Sequence, residues 1–280
     1  MLNIKLFAVF ILLIAFNLIN AQVSKTYISL GPSLGTTNYK GDLDDDFTLR
    51  FTKPGLGFVF NYHAHPNIRF RLTFIHGWMG AADSVSKNKA RNWRNLSFRS
   101  RLDELSAQVI YDFLGTSRRP KYRPAYTPYL FAGIAVYNYN PQAKLDGQWY
   151  NLHDYGTEGQ KLPGAKNKYS LTQIAIPVGL GFKYKLNNYW DLSLEMGVRK
   201  LFTDYLDDVS DQYVDPKELL ATGGPIAVKL ADRSKYTLQG SSGYDAKDIR
   251  GFKQQKDWYI YTGFILTRII DGGNKCPKFQ

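Results

Sequence analysis

The segment Gln173-Ile-Ala-Ile-Pro-Val-Gly-Leu-Gly-Phe-Lys-Tyr-Lys-Leu186 alternates between large apolar residues and small or polar ones. A period of two residues predicts a β-strand whose two faces meet different surroundings. The apolar face suits lipid, whereas the face with glycine, lysine and glutamine suits a narrow polar interior. Together the two faces predict one strand of an outer-membrane β-barrel, and therefore an outer-membrane location for the chain.

Pro177 lies in the middle of this predicted strand. Proline donates no hydrogen bond to a neighbouring strand, so within sheets it is usually confined to edges or bulges. A closed barrel has no edge. We therefore predict a β-bulge near Pro177, made easier by Gly179 and Gly181.

Similar alternation along the chain predicts about eight strands. A transmembrane strand needs about 9–11 residues, and most of the segments reach that length. The sequence thus predicts an all-β fold, a single antiparallel up-and-down transmembrane β-barrel. The predicted strands are residues 27–34, 57–62, 68–78, 97–113, 126–139, 171–186, 190–201 and 256–270.

The connections between these strands alternate in length. Residues 64–67 and 187–188 form short turns, and residues 114–125 form an intermediate one. Outer-membrane barrels have short periplasmic turns and long extracellular loops. This parity predicts that both ends of the barrel chain lie in the periplasm. The long extracellular loops are predicted at residues 35–54, 79–96, 140–170 and 202–255.

The first residues have the composition of a secretory signal peptide. Lys5 precedes an apolar run over residues 6–19, which is too short to span a membrane as a helix. We predict a signal peptide over residues 1–21 and the barrel domain over residues 22–280. The only charge in residues 1–21 is Lys5, so the net charge changes from +12 to +11 on its removal.

This positive charge predicts an anionic partner. An exported chain without a nucleic-acid motif rarely meets nucleic acid, so lipopolysaccharide phosphates or an acidic protein are the better candidates. A basic run, Arg118-Arg119-Pro120-Lys121-Tyr122-Arg123, falls in the intermediate periplasmic turn. It either stops the barrel at the lipid headgroups or contacts a periplasmic partner. The predicted contact residues are Arg118, Arg119, Lys121, Arg123 and Cys276, the last as the sole cysteine.

Catalytic and metal-binding signals are weak. The chain has no nucleophile motif and no recognisable small-molecule site, so we predict no catalytic residue and no cofactor. His63 and His65 are too few to make a metal site. His76 could pair with a loop carboxylate as in barrel enzymes. The acidic runs at residues 42–46 and 204–215 lack EF-hand spacing, so solvated carboxylates or salt bridges are favoured over calcium.

Several blocks in order resemble the PorG-like outer-membrane barrels of the Bacteroidetes type IX secretion and gliding machinery. The resemblance covers nearly all of residues 22–280, and residues 252–256 depart from the expected turn. The resemblance implies a non-enzymatic barrel whose partners are the periplasmic ring proteins PorK and PorN. The blocks include Tyr126-Thr-Pro-Tyr-Leu-Phe-Ala-Gly133, Gly156-Thr-Glu-Gly159, Tyr169-Ser-Leu-Thr-Gln-Ile174, Pro177-Val-Gly-Leu-Gly-Phe182, Arg199-Lys-Leu-Phe-Thr-Asp-Tyr-Leu-Asp-Asp208, Arg250-Gly251, Asp257-Trp-Tyr259 and Cys276-Pro-Lys-Phe279.

The leading functional hypothesis is an outer-membrane anchor and scaffold of a secretion or gliding complex that contacts periplasmic ring components. Three alternatives stay open. A barrel enzyme acting on lipid or peptide predicts a histidine and a carboxylate within hydrogen-bond reach at the outer rim. An adhesin-like surface-binding barrel would use the acidic loops, and a soluble lipocalin-like barrel would turn its apolar face inward.

Overall fold

The computed structural model describes residues 26–44, 49–115, 122–164, 169–241, 243–252 and 256–270. The predicted signal peptide lies outside the described residues. So do Cys276 and three of the four basic residues of the intermediate turn, Arg118, Arg119 and Lys121.

Eight long antiparallel strands close into a barrel, which confirms the predicted fold class. Each strand pairs with its neighbours in chain order, and β1 pairs with β9 to close the sheet. The additional short strand β6 pairs only with the end of β5. The strands are β1 (Tyr27–Lys40), β2 (Lys53–His65), β3 (Ile68–Ala82), β4 (Ser97–Asp112), β5 (Tyr126–Leu145), β6 (Gln148–Asn151), β7 (Thr172–Lys185), β8 (Trp190–Leu201) and β9 (Trp258–Ile270).

The outward face of the barrel is apolar, and the inward face mixes charged, small and aromatic side chains. In β7, Leu180 is 60% exposed, whereas Ala175 is fully buried. The same alternation holds on the other long strands, with Leu105 and Ile134 outward. Because a closed sheet with a lipid-facing apolar belt and a polar interior is the architecture of outer-membrane barrels, the chain is an outer-membrane β-barrel. The soluble alternative, with an inward apolar face, is wrong.

Several strands extend beyond their predicted limits at the end that carries the long connections, called here the long-loop end. β5 continues to Leu145 and β1 to Lys40. Outward side chains there are polar, as at Asn140 and Gln142, so alternation of hydropathy stops while the hydrogen-bonded ladder continues. The opposite end, with the turns at residues 66–67 and 186–189, is called the short-turn end.

Pro177 does not introduce a bulge, so that prediction is wrong. β7 keeps one register with β8 through the pair Pro177↔Arg199. On the other side, pairing with β5 stops opposite Pro177 and resumes in the same register, with Ala132↔Val178 and Ala135↔Ala175 as the flanking pairs. The proline therefore interrupts the ladder locally and does not force an extra residue into it.

The long connections contain four α-helices that the hydropathy pattern did not predict: α1 (Lys89–Arg94), α2 (Leu152–Tyr155), α3 (Pro216–Ala231) and α4 (Lys235–Leu238). α3 begins with Asp215, whose side chain accepts a hydrogen bond from the Lys217 backbone N–H. It is kinked at Gly224, which has φ of 73°. Within the described residues, no helix combines the length and apolar character needed to cross a membrane.

Candidate functional site

The lumen of the barrel is filled by buried ion pairs. Each pair joins inward-facing side chains of different strands, so a positive and a negative charge meet across the interior. An eight-stranded barrel has an interior just wide enough for side chains to fill. The pairs include Arg69–Asp112 (3.1 Å), Lys183–Asp112 (3.4 Å), Arg199–Glu104 (3.0 Å) and Arg71–Glu195.

Two tyrosines complete this packing. The Tyr129 hydroxyl donates to Glu195 over 2.9 Å, and the Tyr259 hydroxyl donates to Glu104 over 2.7 Å. Buried charges are tolerated when they are paired and hydrogen-bonded. The lumen therefore acts as packed core across the described strands, and the surfaces outside it are where this barrel can bind other molecules.

At the short-turn end, Arg123 is buried and holds a turn. Its Nε and Nη2 lie 3.0 and 2.8 Å from Asp191 Oδ1, and the guanidinium also donates to the backbone carbonyls of Asn187 and Asn188. These bonds tie the connection before β5 to the turn between β7 and β8. Arg123 thus differs from its expected place on an exposed basic surface. Partner contact through Arg118, Arg119, Lys121 and Cys276 stays a prediction, because they lie outside the described residues.

At the long-loop end, the connections pack together over the barrel. We call this region the loop cap; it comprises residues 41–44, 83–96, 152–164, 202–241 and 243–252, with Asp257. Its apolar side chains form one cluster with those of the upper barrel. The predicted extracellular loops are therefore largely ordered against each other. The cluster includes Leu43, Leu96, Leu152, Leu206, Val209 and Leu230 from the cap, with Tyr39, Met79 and Tyr137 from the strands.

Two buried arginines join the segments of the loop cap. Arg94 contacts both carboxylate oxygens of Asp83, over 2.7 and 2.8 Å, and donates to the Asp42 carbonyl over 3.0 Å. Arg250 donates from Nη1 to Glu158 over 2.7 Å. Arg94 also donates to the Arg250 carbonyl. These bonds connect all four long connections, so the cap is one cross-linked unit.

Two carboxyl groups of the loop cap share a tyrosine. The Tyr39 hydroxyl lies 2.6 Å from Asp207 Oδ2 and 3.1 Å from Asp257 Oδ1. A hydroxyl has one proton to donate, so the second contact is satisfied when its carboxyl group carries a proton. Burial raises the pKa of Asp207 well above its usual range, and Asp257 raises it further. Burial likewise raises the pKa of Asp257.

A third buried carboxyl group lies in the same segment. Asp204 accepts from the Ser210 hydroxyl over 2.8 Å, while its other oxygen has no hydrogen-bond partner. Burial raises the pKa of Asp204 to about 7. The expectation of solvated loop carboxylates is wrong for Asp204, Asp207 and Asp208, because the cap packs over them. The favoured salt bridge is confirmed for Asp208, which lies 3.9 Å from Arg250.

The acidic runs do not form a metal site within the described residues, where no group of three or more His, Cys, Asp or Glu side chains is placed to hold an ion. Asp45 and Asp46 lie outside those residues. The calcium alternative therefore has no support from the geometry of the loop cap.

A histidine–carboxylate pair lies on the outer surface of the barrel. His76 Nδ1 is 2.6 Å from Asp103 Oδ1, and Arg101 Nε is 3.0 Å from Asp103 Oδ2. His76 and Asp103 are outward-facing and about 30% exposed. This is the geometry that the barrel-enzyme alternative predicted at the outer rim. Among the described residues, no serine, threonine or cysteine is hydrogen-bonded to His76, so a nucleophile for this pair is missing there.

The chain is similar to several solved outer-membrane proteins. The outer membrane protein OprG from Pseudomonas aeruginosa is 11% identical, with 88% of this chain and 96% of that chain covered and a TM-score of 0.41. Neisserial surface protein A is 12% identical, with 89% and 99% covered and a TM-score of 0.40. No curated protein matches the chain.

A family model matches most of the chain. Residues 4–220 match the family described as domain of unknown function DUF6089. The match runs from the N-terminal segment through β8 into α3, and so includes seven of the eight barrel strands. Since it covers more than half of the sequence, this outer-membrane β-barrel belongs to the DUF6089 family.

Proposed function

We propose that this protein is a non-enzymatic anchor and scaffold in the outer membrane, serving a type IX secretion or gliding assembly. The observation that carries the proposal is the packing of both interior regions. Ion pairs fill the lumen, and the cross-linked loop cap covers the long-loop end. A barrel packed in this way acts through its outer surfaces.

The short-turn end supports a periplasmic contact. Arg118, Arg119 and Lys121 belong to the connection between β4 and β5, close in the chain to Arg123, whose guanidinium pairs with Asp191. Several positive charges in one periplasmic connection suit an acidic patch of a partner, because opposite charges favour association. The resemblance of the sequence blocks to PorG-like barrels implies the class of partner, which is ring proteins similar to PorK and PorN.

Photo-cross-linking in cells tests this proposal. A photo-reactive residue replaces Ser117 in the basic turn, or Leu238 in the loop cap as the matched control; Leu238 is 72% exposed. We expect adducts containing PorK- or PorN-like proteins from position 117 and none from position 238. Equal adducts from both positions, or ring proteins absent from the adducts of position 117, would contradict the scaffold role.

Charge reversal makes the test more specific. The variant Arg118→Glu/Arg119→Glu/Lys121→Glu should lower the adduct yield about tenfold or more, since it replaces attraction with repulsion. The matched control, Lys87→Glu/Lys89→Glu/Lys217→Glu, changes the same net charge at the long-loop end and should leave the yield unchanged. Heat-modifiable migration of both variants checks that the barrel has folded.

The His76–Asp103 pair favours one second candidate, a barrel enzyme acting on lipid at the outer rim. A histidine oriented by a carboxylate is the base half of many nucleophilic sites. The test compares outer-membrane lipid profiles of cells that express the wild type or His76→Ala, with His65→Ala as control. A lipid product that disappears only in His76→Ala would support this candidate function. Identical lipid profiles in all three strains would exclude it.

A further inference from the structure

The apolar belt of the barrel ends along one line on the β3–β7 wall. Four cross-strand neighbours form its last apolar row, and all are about half exposed: Phe74, Leu105, Val136 and Ile174. The next outward row toward the long-loop end is entirely polar. It consists of His76, Asp103, Asn138 and Thr172, which are again cross-strand neighbours.

Above this polar row, β3, β4 and β5 continue and present a basic surface. Arg101 lies between Trp78 and Asn140, and one row further Arg99 lies beside Gln142. Each row adds about 6.7 Å along a strand, or about 5 Å in height at the usual strand tilt of a barrel. Arg101 therefore begins about 10 Å above the last apolar row. The headgroup layer is about 5–7 Å thick, so the backbone of Arg101 lies just outside it, and the arginine side chain is long enough to reach the outer edge of the layer.

The side chains of this surface form a concavity of about 480 Å³. We call it the rim pocket, defined by Trp78, Arg99, Arg101, Asn138, Asn140 and Gln142. Arg99 is held in place by its neighbours: its guanidinium carbon lies 3.4 Å from the ring centroid of Trp149, and its Nε donates to Gln142 over 3.1 Å.

Arg101 is available to a ligand. Its side chain is 64% exposed, and within the described residues its recorded ion pair uses Nε, which contacts Asp103. This pair leaves the edge formed by the two terminal nitrogens for a ligand. Such an edge binds two phosphate oxygens in a bidentate manner. Two arginines line the rim pocket and Asp103 offsets one of them, so the pocket carries a net positive charge.

The combination selects one class of ligand. Two arginines and neutral amides match a phosphate group, and the tryptophan is typical of a membrane interface. Directly below, Leu105 and Val136 offer an exposed apolar surface for a fatty acyl chain. We propose that the rim pocket binds the phosphate of a phosphorylated lipid such as lipid A of lipopolysaccharide, whose acyl chains lie on the apolar belt. This site is independent of the secretion role.

Native mass spectrometry of the full protein, purified in detergent, tests the proposal with added diphosphorylated lipid A. The wild type should retain the lipid, and Arg99→Gln/Arg101→Gln should bind it about tenfold more weakly or worse. The matched control Lys40→Gln/Lys200→Gln removes two outward cations at the upper ends of β1 and β8, and should bind like the wild type. The variant Arg99→Lys/Arg101→Lys should bind with intermediate affinity, because lysine keeps the charge and loses the bidentate geometry.

Three results would overturn the proposal. If dephosphorylated lipid A binds as tightly as the phosphorylated form, the pocket does not recognise the phosphate. Equal loss in the two double glutamine variants would show a general charge effect with no specific pocket. Inorganic phosphate displacing the lipid at equal concentration would show a site for free anions, in which the apolar belt has no part. Heat-modifiable migration confirms that each variant is folded.

Discussion

The lumen and the loop cap both bury carboxyl groups that pair with arginine, such as Glu104 in the lumen and Asp83 in the cap, but the cap also buries a second set that is stabilised in a different way. In the lumen, Glu104 and Glu195 each face an arginine. In the cap, Asp204, Asp207 and Asp257 form no ion pair with any arginine or lysine of the described residues. They rely on a tyrosine, a serine and backbone N–H groups.

Because of this difference, the stability of the lumen should not depend on pH, whereas that of the loop cap should. An arginine stays charged at every physiological pH, so its carboxylate partner is compensated throughout. A buried carboxyl group without a cation is most stable in its protonated form. The lumen should therefore hold the barrel together regardless of pH, whereas the packing of the cap should depend on it.

The largest effect is expected from breaking a lumen pair. Arg199→Met leaves Glu104 buried without its cation, which should lower the free energy of unfolding by about 3–5 kcal/mol. Urea unfolding of the barrel in lipid vesicles, followed by tryptophan fluorescence, measures the loss. The control Arg199→Met/Glu104→Leu removes both charges and should recover much of the stability. A double variant as unstable as the single one would contradict the pairing argument.

The next effect is the pH dependence of the loop cap. Burial raises the pKa of Asp204 from its ordinary value to about 7, so the folded cap retains a proton that the unfolded chain releases near pH 4. Cap stability should consequently fall as the pH rises from about 4 to about 7. Asp207 and Asp257 act in the same direction.

Hydrogen exchange checks this prediction. After correction for intrinsic exchange rates, the amides of residues 206–211 should be better protected at pH 5 than at pH 8, with a smaller change for the barrel strands. Asp204→Asn should weaken the pH dependence. Better protection of the cap at pH 8 than at pH 5 would mean that its carboxyl groups are ionised and compensated, as in the lumen.

A smaller loss of stability is expected when a methyl group is added next to Tyr39, the tyrosine shared by Asp207 and Asp257. A Cβ on Gly41 would lie 2.0 Å from Asp257 Oδ1 and 2.1 Å from the Tyr39 hydroxyl. Gly41→Ala should therefore destabilise the cap by about 1–3 kcal/mol through overpacking and leave the barrel folded. Limited proteolysis should cut residues 202–241 faster, while heat-modifiable migration is unchanged. Gly240→Ala places its Cβ in open space but strains a backbone with φ of 76°, so it separates the effect of backbone strain from that of overpacking.

The smallest effect is expected at an exposed pair of the cap. Lys229 and Asp146 are more than 60% exposed and 3.5 Å apart. Since exposed pairs are screened by water and salt, Lys229→Ala should change cap stability by less than about 0.5 kcal/mol. The same proteolysis assay measures this change. A large effect would mean that surface charges hold the cap, contrary to the burial argument.

The barrel was predictable from the sequence because its signal is local. Alternation in residues 173–186 identifies both faces of β7, and the short turns give the order of the strands. The bulge at Pro177 was wrong because a ladder tolerates one missing hydrogen bond without changing register. The ends of β1 and β5 were missed because the apolar alternation stops where the strands leave the membrane.

The loop cap was not predictable because its contacts join distant positions without periodicity. Tyr39 and Asp207 are 168 residues apart, and Arg94 and Arg250 are 156 apart. An acidic run looks the same in the sequence whether it is solvated or buried. The one available signal was the resemblance, whose blocks include Arg250 and Asp257. The rim pocket requires strand register, which places Arg101 beside Trp78.

Single-channel recording of the purified protein in planar lipid bilayers tests whether the lumen is packed, so that this barrel acts through its outer surfaces. We expect no conductance steps above the background of the empty bilayer, for the wild type and equally for Gly41→Ala, whose cap is loosened while its lumen is intact. Reproducible unit conductance from the wild type would mean that the lumen is open, because it would require a water-filled path through the ion pairs of the lumen.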